Sequence, residues 1–295
     1  MGRRRVKSRW LFWRIAAVLV RGGILVATFS DGDKITEGYH LSRLSGKCIF
    51  RDDIHREQAL REVLDDEDVK ALIVRIDSPG GTVVGGESLY HQLTAISGEK
   101  PVVAVMGSTA TSAGYMIAIA ADHLFAREGS ITGSIGVIMQ TADMTVLMEK
   151  IGIKPESIKS GPLKAQPSPM ETMSPEVREA TRDVVMDMYD MFIGMVAERR
   201  KMSIDEVRKL ADGRVYTGRQ ALQNGLIDAI GSEQEALTWL RDSSKIPDGL
   251  PVHDVEIRYP REDWRQFFGG LVGKTLFSER LRLDGLVSLW HPESW

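Results

Sequence analysis

The chain has 295 residues, of which 43% are hydrophobic and 27% charged. This composition suits one large globular domain or two small ones and excludes a mainly disordered protein. The formal charge of −3 hides an asymmetry, because seven cations precede the first acid, Asp31, and leave 31 cations against 41 anions, or −10, in the rest of the chain. An acidic body offers no general basic surface to phosphates, so we expect no nucleic-acid partner.

Cysteine and histidine usage limits the chemistry further. A single cysteine, Cys48, excludes an intrachain disulfide framework. The six histidines are scattered singly, without the Cys/His spacing of a zinc site. We therefore expect neither a metal nor a cofactor.

The N-terminus, residues 1–29, combines a basic head with an apolar run from residue 10 to residue 29. That run is about long enough to span a bilayer. With cations before it and acids after it, it predicts a transmembrane anchor whose start lies in the cytoplasm. The acidic body would then lie on the exported side of the membrane. Arg14 and Arg21 interrupt the run, and an interfacial amphipathic segment is the alternative.

Beyond the head we predict a linker at 30–43, an α/β domain at 44–242 and a C-terminal extension at 243–295. Helical spacing of apolar residues and β-branched runs alternate along the middle region. The predicted elements are a helix within 52–66, a strand at 69–77, a helix near 87–96, a strand at 101–106, a helix at 112–121, a strand near 123–126 and a long helix from Ser174-Pro175 to about 200. Such alternation predicts a mostly parallel sheet wrapped by helices.

The C-terminal extension contains a short possible strand, VEIRY, and then an amphipathic tail with many large apolar side chains. Apolar side chains in such numbers need a covering surface. We expect the tail to pack on another subunit or on a membrane, with packing on its own domain as the alternative.

Three motifs follow predicted strands, at the position where open α/β sheets bind ligands, and the third of them is GSITGSIGV, which begins at Gly129. In the first, DSPGG, the paired glycines let backbone N–H groups approach a ligand, and Gly81 is a candidate oxyanion donor. An ordinary tight turn is the alternative interpretation.

The second motif, GSTATSAGYMIAIAAD, leads from the strand at 101–106 into an apolar helix. Ser112 stands near the start of that helix, so its hydroxyl is a candidate nucleophile and the N–H of Ala113 a candidate oxyanion donor. A plain helix cap is the alternative role for Ser112. Three other hydroxyls compete for the nucleophile's role: Ser108, Thr109 and Thr111.

The third motif, GSITGSIGV, is followed by a fourth, GRVYTGRQALQNGLID, beginning at Gly213. The four motifs, in this order, resemble the signal peptide peptidase A family of serine proteases, within the wider Clp-protease/crotonase fold. The resemblance covers about residues 44–240. One departure is that the family usually has Ser-Gly-Gly-Tyr where this chain has Ser-Ala-Gly-Tyr, starting at Ser112.

The resemblance implies a Ser/Lys dyad, with the base in SGPLKAQPSP at Lys164 and with Ser134 hydrogen-bonded to that lysine. Lys159 is the competing candidate. A histidine base is disfavoured, because the nearest downstream histidine, His123, begins an apolar strand. The family also implies a membrane-associated homo-oligomer in which neighbouring protomers supply Ser112 and Lys164, and hydrophobic substrates such as cleaved signal peptides.

Two other functions remain open at this stage. A crotonase-like enzyme acting on acyl-CoA thioesters would use the same oxyanion donors but needs a carboxylate. Glu128, the acid directly before the GSITGSIGV motif, is the candidate. The third possibility is an inactive membrane scaffold that keeps the fold and has lost the base.

Overall fold

The computed structural model describes residues 39–46, 54–257 and 287–289. The predicted membrane segment at residues 10–29 lies outside the described residues. Among the helices of the described ranges, none has both the length and the apolar character needed to cross a bilayer.

The secondary structure alternates between strands and helices through most of the chain. The described strands are β1 (His40–Gly46), β2 (Val69–Ser78), β3 (Gly80–Thr82), β4 (Val102–Thr111), β5 (His123–Ala126), β6 (Ile131–Gly133), β7 (Val215–Thr217), β8 (Ala229–Ile230), β9 (Val252–Asp254) and β10 (Val287–Leu289). The described helices are α1 (Ile54–Asp65), α2 (Val83–Ser97), α3 (Ala113–Ala118), α4 (Thr145–Lys150), α5 (Pro175–Arg200), α6 (Ile204–Leu210), α7 (Gly218–Gln223) and α8 (Glu233–Ser244).

The main sheet has the order β7-β6-β4-β2-β1-β9, with β5 pairing with both β4 and β8. Every pair in it is parallel except β6 with β7. The predicted α/β fold with a mostly parallel sheet is confirmed. The sheet also reaches beyond 44–242 at both ends, since β1 begins at His40 and pairs with β9.

Strand β2 shows why this sheet needs helices on both faces. Leu72 and Ile73 are neighbours in β2, point to opposite faces and are both fully buried. Leu72 belongs to the larger core cluster, which also holds the buried side chains of α2, α3 and α5, whereas Ile73 packs in the cluster with α8. The continuous apolar run predicted as a buried parallel strand is explained by this double coverage.

Strand β4 is longer than the sequence predicts. Its first half, Val103–Met106, pairs with β5, and Thr109–Thr111 pairs with β6 instead. The sequence predicts a turn for the small residues between Gly107 and Thr111, because it does not show that they pair with another strand. The change of partner carries the end of β4 to the start of α3, where the candidate site lies.

Candidate active site

Ser112 lies between β4 and α3 in an unusual backbone conformation. Its φ is 58° and its ψ is −121°, and the residue is 1% exposed. Its N–H donates a 2.8 Å hydrogen bond to the carbonyl of Gly133, which fixes the turn to the end of β6. A non-glycine residue at positive φ is strained, and such strain is concentrated at functional sites in proteins.

The hydroxyl of Ser112 does not cap α3. Five other helices provide a comparison, since each begins with a Ser or Thr in extended conformation whose side chain accepts a hydrogen bond from the first turn: Thr82, Ser174, Ser203, Thr217 and Ser232. Ser112 is likewise the residue directly before a helix, but its backbone is not extended and its side chain makes no capping hydrogen bond. The geometry therefore favours the nucleophile over the helix cap.

The competing hydroxyls are less suited to attack a substrate. Thr111 Oγ1 donates to the carbonyl of Pro79 at 2.9 Å, so it ties β4 to the DSPGG turn. Ser108 is exposed and precedes the change of strand partner. Ser130 and Thr132 donate to the carbonyls of Gly107 and Ala110. The sequence alone did not identify these hydroxyls as structural. The many Ser and Thr residues in this part of the chain could have indicated that some of them bond to neighbouring backbone.

The DSPGG turn packs directly against the start of α3. A Cβ added at Gly114 would lie 3.1 Å from the carbonyl oxygen of Ser78, so backbone meets backbone there. Ser78 Oγ accepts a hydrogen bond from the N–H of Gly80 and donates one to its carbonyl, both at 3.2 Å. Gly81 follows in the chain, and Ala113 heads a helix whose first N–H groups lack intrahelical partners. The two candidate oxyanion donors therefore belong to elements in contact.

The departure at Ala113 has a structural explanation on α2. A Cβ added at Gly86 would lie 3.0 Å from the Cβ of Ala113 and 3.0 Å from the sulfur of Met116. Real Cβ atoms are rarely this close. The methyl group of Ala113 therefore fits because α2 carries a bare glycine opposite it.

This contact predicts a position-specific effect on stability. Gly86→Ala should lower the free energy of unfolding by roughly 1–3 kcal/mol, the usual cost of overpacking a core. The control is Gly194→Ala in α5, where nothing lies within 4 Å and the added methyl should stabilise the helix by up to about 1 kcal/mol. Chemical denaturation of both variants measures the two effects, and equal stabilities of Gly86→Ala and the parent chain would contradict the contact.

The end of β6 links Ser134 to Ser112. Ser134 directly follows Gly133, the acceptor of the Ser112 N–H, and it is 8% exposed with φ of 50°. Its own N–H donates to the carbonyl of Arg214 at 2.8 Å, which joins the third motif to the fourth. The structure therefore brings Ser112 and Ser134 into one buried region.

The fourth motif, which begins at Gly213, holds α3 in position through a hydrogen bond. The hydroxyl of Tyr115, fully buried, donates to the carbonyl of Leu226 at 2.8 Å, and burial raises the pKa of this phenol well above its ordinary value. Asp228 accepts hydrogen bonds from Arg200 and from the N–H of Leu124. Burial alone would raise the pKa of Asp228, but the Arg200 hydrogen bond and charge lower it overall, so the carboxylate stays ionised. This motif holds the site in place and supplies no reacting group.

The two candidate lysines have different surroundings. Lys159 Nζ lies 2.5 Å from a carboxylate oxygen of Glu171, and the hydrogen bond from Lys159 lowers the pKa of that carboxyl. The amine of Lys159 is therefore engaged by a carboxylate and does not face Ser112 or Ser134 in a recorded contact of this chain's described residues. Lys164 is exposed and, among the described residues, forms no salt bridge with an acid. Within this single chain, no recorded hydrogen bond joins Lys164 to Ser112 or Ser134.

The other proposed acid–base residues lie in structural positions. His123 stacks on Trp239, with ring centroids 4.8 Å apart, and burial lowers its pKa. It pairs with Val103, nine residues before Ser112 along β4. Glu128 is exposed and forms a 2.9 Å salt bridge with Arg219. Within the described ranges, no cluster of three or more His, Cys, Asp or Glu side chains is arranged to hold a metal ion.

Comparison with known proteins identifies the family. Residues 95–247 match peptidase family S49. A candidate protease of Synechocystis sp. is 38% identical over 214 residues, which make up 72% of this chain and 76% of that protein. The chain belongs to peptidase family S49. Two further S49 relatives are the chloroplastic serine protease SPPA of Arabidopsis thaliana, 32% identical over 234 residues, and protease 4 of Haemophilus influenzae, 33% identical over 251 residues.

These relatives confirm the resemblance to the signal peptide peptidase A type and make the chain a member of a serine protease family. The aligned parts cover 78% and 85% of this S49 chain but only 34% of the plant protein and 38% of the Haemophilus protein. Among solved structures, a mutant of ClpP1 from Listeria monocytogenes aligns with a TM-score of 0.42 and 18% identity, covering 68% of this chain and 96% of that one.

Proposed function

We propose that this chain is a membrane-associated serine endopeptidase that uses Ser112 as nucleophile and Lys164 as general base. The observation that carries the proposal is the backbone of Ser112, which is held at positive φ with its hydroxyl released from helix capping. Neutral Lys164 takes the proton of the hydroxyl, and the Ser112 oxygen attacks a peptide carbonyl. The N–H groups of Gly81 and Ala113 stabilise the oxyanion that forms. Lys164 then protonates the leaving amine and activates water for hydrolysis of the acyl-enzyme.

The base must lose its charge, and this requirement favours an oligomer. Lowering the pKa of a lysine from about 10.4 to near neutrality costs the folded state roughly 4–5 kcal/mol and needs removal of water around the amine. Lys164 is exposed in the single chain. A neighbouring protomer that covers Lys164 would supply the missing desolvation and the missing serine together. Ser134 of that neighbour would accept or donate the hydrogen bond that orients the lysine.

The surface around Lys164 supports a second copy as its cover. Most of the exposed large apolar side chains of the described chain lie between residues 138 and 186: Ile138, Met144, Val146, Leu147, Ile151, Ile153, Ile158, Leu163, Met170, Val184 and Met186. Exposed apolar side chains in such numbers along one stretch of the chain are typical of an interaction site. Leu163, next to Lys164, also lines a cavity of about 200 Å³ together with Pro167 and Val177.

We propose hydrophobic peptides, including signal peptides cleaved during secretion, as substrates, and the exported side of a bacterial inner membrane as the location. The seven cations that precede Asp31 support this topology by the positive-inside rule. Small side chains surround Ser112, which suits small or apolar substrate residues. Separation of membrane and soluble fractions of the full chain tests the association with a membrane.

A serine-directed peptide aldehyde tests the activity class. We expect it to abolish cleavage of a labelled signal peptide, because its carbonyl forms a covalent adduct with the Ser112 hydroxyl. The matched assay offers an acyl-CoA thioester, and we expect no turnover, since Glu128 is paired with Arg219 at the surface. Turnover of the thioester with no effect of the aldehyde would support the crotonase-like alternative instead.

A further inference from the structure

The two arms of the loop that carries Lys164 meet at one carboxylate, that of Glu171. The same oxygen of Glu171 accepts hydrogen bonds from Lys159 Nζ and from Gln166 Nε2, both at 2.5 Å. Lys159 precedes Lys164 in the chain and Gln166 follows it. Residues 160–165, between these two contacts, form the tip of the loop and include Lys164.

The side chain of Gln166 joins the tip to the arm that follows it. Within the tip, the N–H of Lys164 donates to the carbonyl of Gly161 at 3.2 Å. The N–H of Gln166 then donates to the carbonyl of Leu163 at 3.3 Å, so the backbone turns on both sides of Lys164. Gln166 Oε1 also accepts the N–H of Ser168 at 3.1 Å. Both ends of the Gln166 amide are therefore used in hydrogen bonds within the loop.

The arm that contains Glu171 is attached to the rest of the domain. The carbonyl of Pro169 accepts the N–H of Met144, the residue before α4, at 2.8 Å. Ser174, three residues after Glu171, caps α5. The tip, in contrast, is mostly exposed. The Glu171 carboxylate therefore connects an exposed tip to an arm that two helices hold in place.

The carboxylate of Glu171 is kept in the form that accepts hydrogen bonds. The hydrogen bond from Lys159 is the largest cause that lowers the pKa of Glu171, so the group is ionised at neutral pH. Hydrogen bonds to an ionised acceptor are shorter and stronger than those between neutral groups. The side chains of Lys159 and Glu171 are 16% and 32% exposed, whereas Lys164 is exposed. The contact between Gln166 and Glu171 is therefore of the stronger kind and lies in a half-buried part of the loop.

We propose that Glu171 is a positioning residue, which acts through Gln166 to fix the backbone from which Lys164 reaches Ser112. This inference rests on the proposed peptidase function. A lysine amine ends a flexible four-carbon stem, so its position depends on how well the backbone beneath it is held. Proton transfer requires the base within hydrogen-bond reach of the hydroxyl, and a small displacement of a reacting group greatly lowers the rate.

Steady-state kinetics of the full chain test this role. For a labelled hydrophobic peptide, we expect Glu171→Ala and Gln166→Ala each to lower kcat roughly 10- to 100-fold with KM near that of the parent, because the base is displaced while substrate contacts remain. Glu171→Gln keeps an oxygen that accepts from Gln166, so its kcat should return to within about three-fold of the parent value. The matched control is Glu156→Ala, which removes an exposed carboxylate from the arm before the tip and should keep the parent kcat.

A double variant tests the path through Gln166. Glu171→Ala and Gln166→Ala remove the same contact, so the double variant should have a kcat close to that of the single variants. Losses that multiply in the double variant would overturn the path. Equal losses in Glu171→Gln and Glu171→Ala, or a parent kcat in Gln166→Ala, would also overturn the inference. Circular dichroism identifies a variant that does not fold, and Glu171→Gln and Gln166→Ala still decide the outcome if Glu171→Ala is such a variant.

Lys164→Ala, assayed in the same series, separates this inference from the peptidase proposal. Parent activity in Lys164→Ala would contradict the assignment of the base, and the positioning role would fall with it. An inactive Lys164→Ala together with a parent kcat in both Glu171→Ala and Gln166→Ala would contradict the positioning role alone. We expect an inactive Lys164→Ala and a partial loss of kcat in the other two variants.

Discussion

Ser112→Ala is expected to lower kcat/KM for cleavage of a labelled signal peptide by a factor on the order of 10⁴ or more, because removing an activated serine nucleophile has effects of this size in serine proteases. The residual rate would come from the oxyanion donors and from substrate binding. The fold should be unaffected, since the Ser112 side chain makes no capping hydrogen bond and the N–H bonded to Gly133 is retained. Circular dichroism and thermal melting check the fold beside the assay.

The matched control for this variant is Ser108→Ala, which removes an exposed hydroxyl from β4, the strand that leads to Ser112. Its activity should equal that of the parent chain. A Ser112→Ala protein that cleaves peptides at the parent rate would remove Ser112 from the mechanism. In that case Thr109, a half-buried hydroxyl two residues before the end of β4, would be the next candidate.

The second large effect is complementation between two inactive chains. Lys164→Ala alone should be as inactive as Ser112→Ala, because a serine hydroxyl without a base is a poor nucleophile. When the two variants are co-expressed, some contacts join an intact Ser112 of one chain to an intact Lys164 of its neighbour. If the chains mix at random around a closed ring, about one quarter of the parent activity should return.

Two controls make the mixing experiment decisive. Lys159→Ala should keep its peptidase activity and lose about 1 kcal/mol or less of stability, because it breaks only the pair with Glu171. A chain that carries both Ser112→Ala and Lys164→Ala should not restore activity to either single variant beyond background. Full inactivity of the mixed oligomers would favour a dyad formed within one chain.

Strong periodicity made much of the fold predictable. The strand β2 and the long helix α5, capped by Ser174 with Pro175 in its first turn, agree with the sequence to within a residue or two. Their apolar patterns are long and bounded by clear signals. The short strand β6 was missed, because three residues rich in small side chains carry no periodic signal and become a strand only by pairing with β4.

The site was predictable in its residues but not in its geometry. The sequence shows only part of the difference between Ser112 and Ser203: Ser203 is followed three residues later by Glu206 in a capping box, which Ser112 lacks, but the backbone dihedral angles of Ser112 are set by neighbouring strands. Lys159 and Lys164 lie in similar sequence surroundings, and only the position of Glu171 separates them. The predicted strand VEIRY, at 255–259, does not coincide with β9, which covers Val252–Asp254 just before it, because pairing with Leu41 in β1 fixes the position of the strand.

The fit of Ala113 against the bare backbone of Gly86 makes these two positions one steric unit, although 27 residues separate them in the chain. A relative with glycine at the position of Ala113 needs only a shift of the flexible Met116 side chain to accept a methyl group at the position of Gly86, whereas a relative with alanine at the first position also has a methyl group in the way. The two positions should therefore vary together during evolution. Such paired variation among related sequences would indicate that α2 packs closely against the first turn of α3.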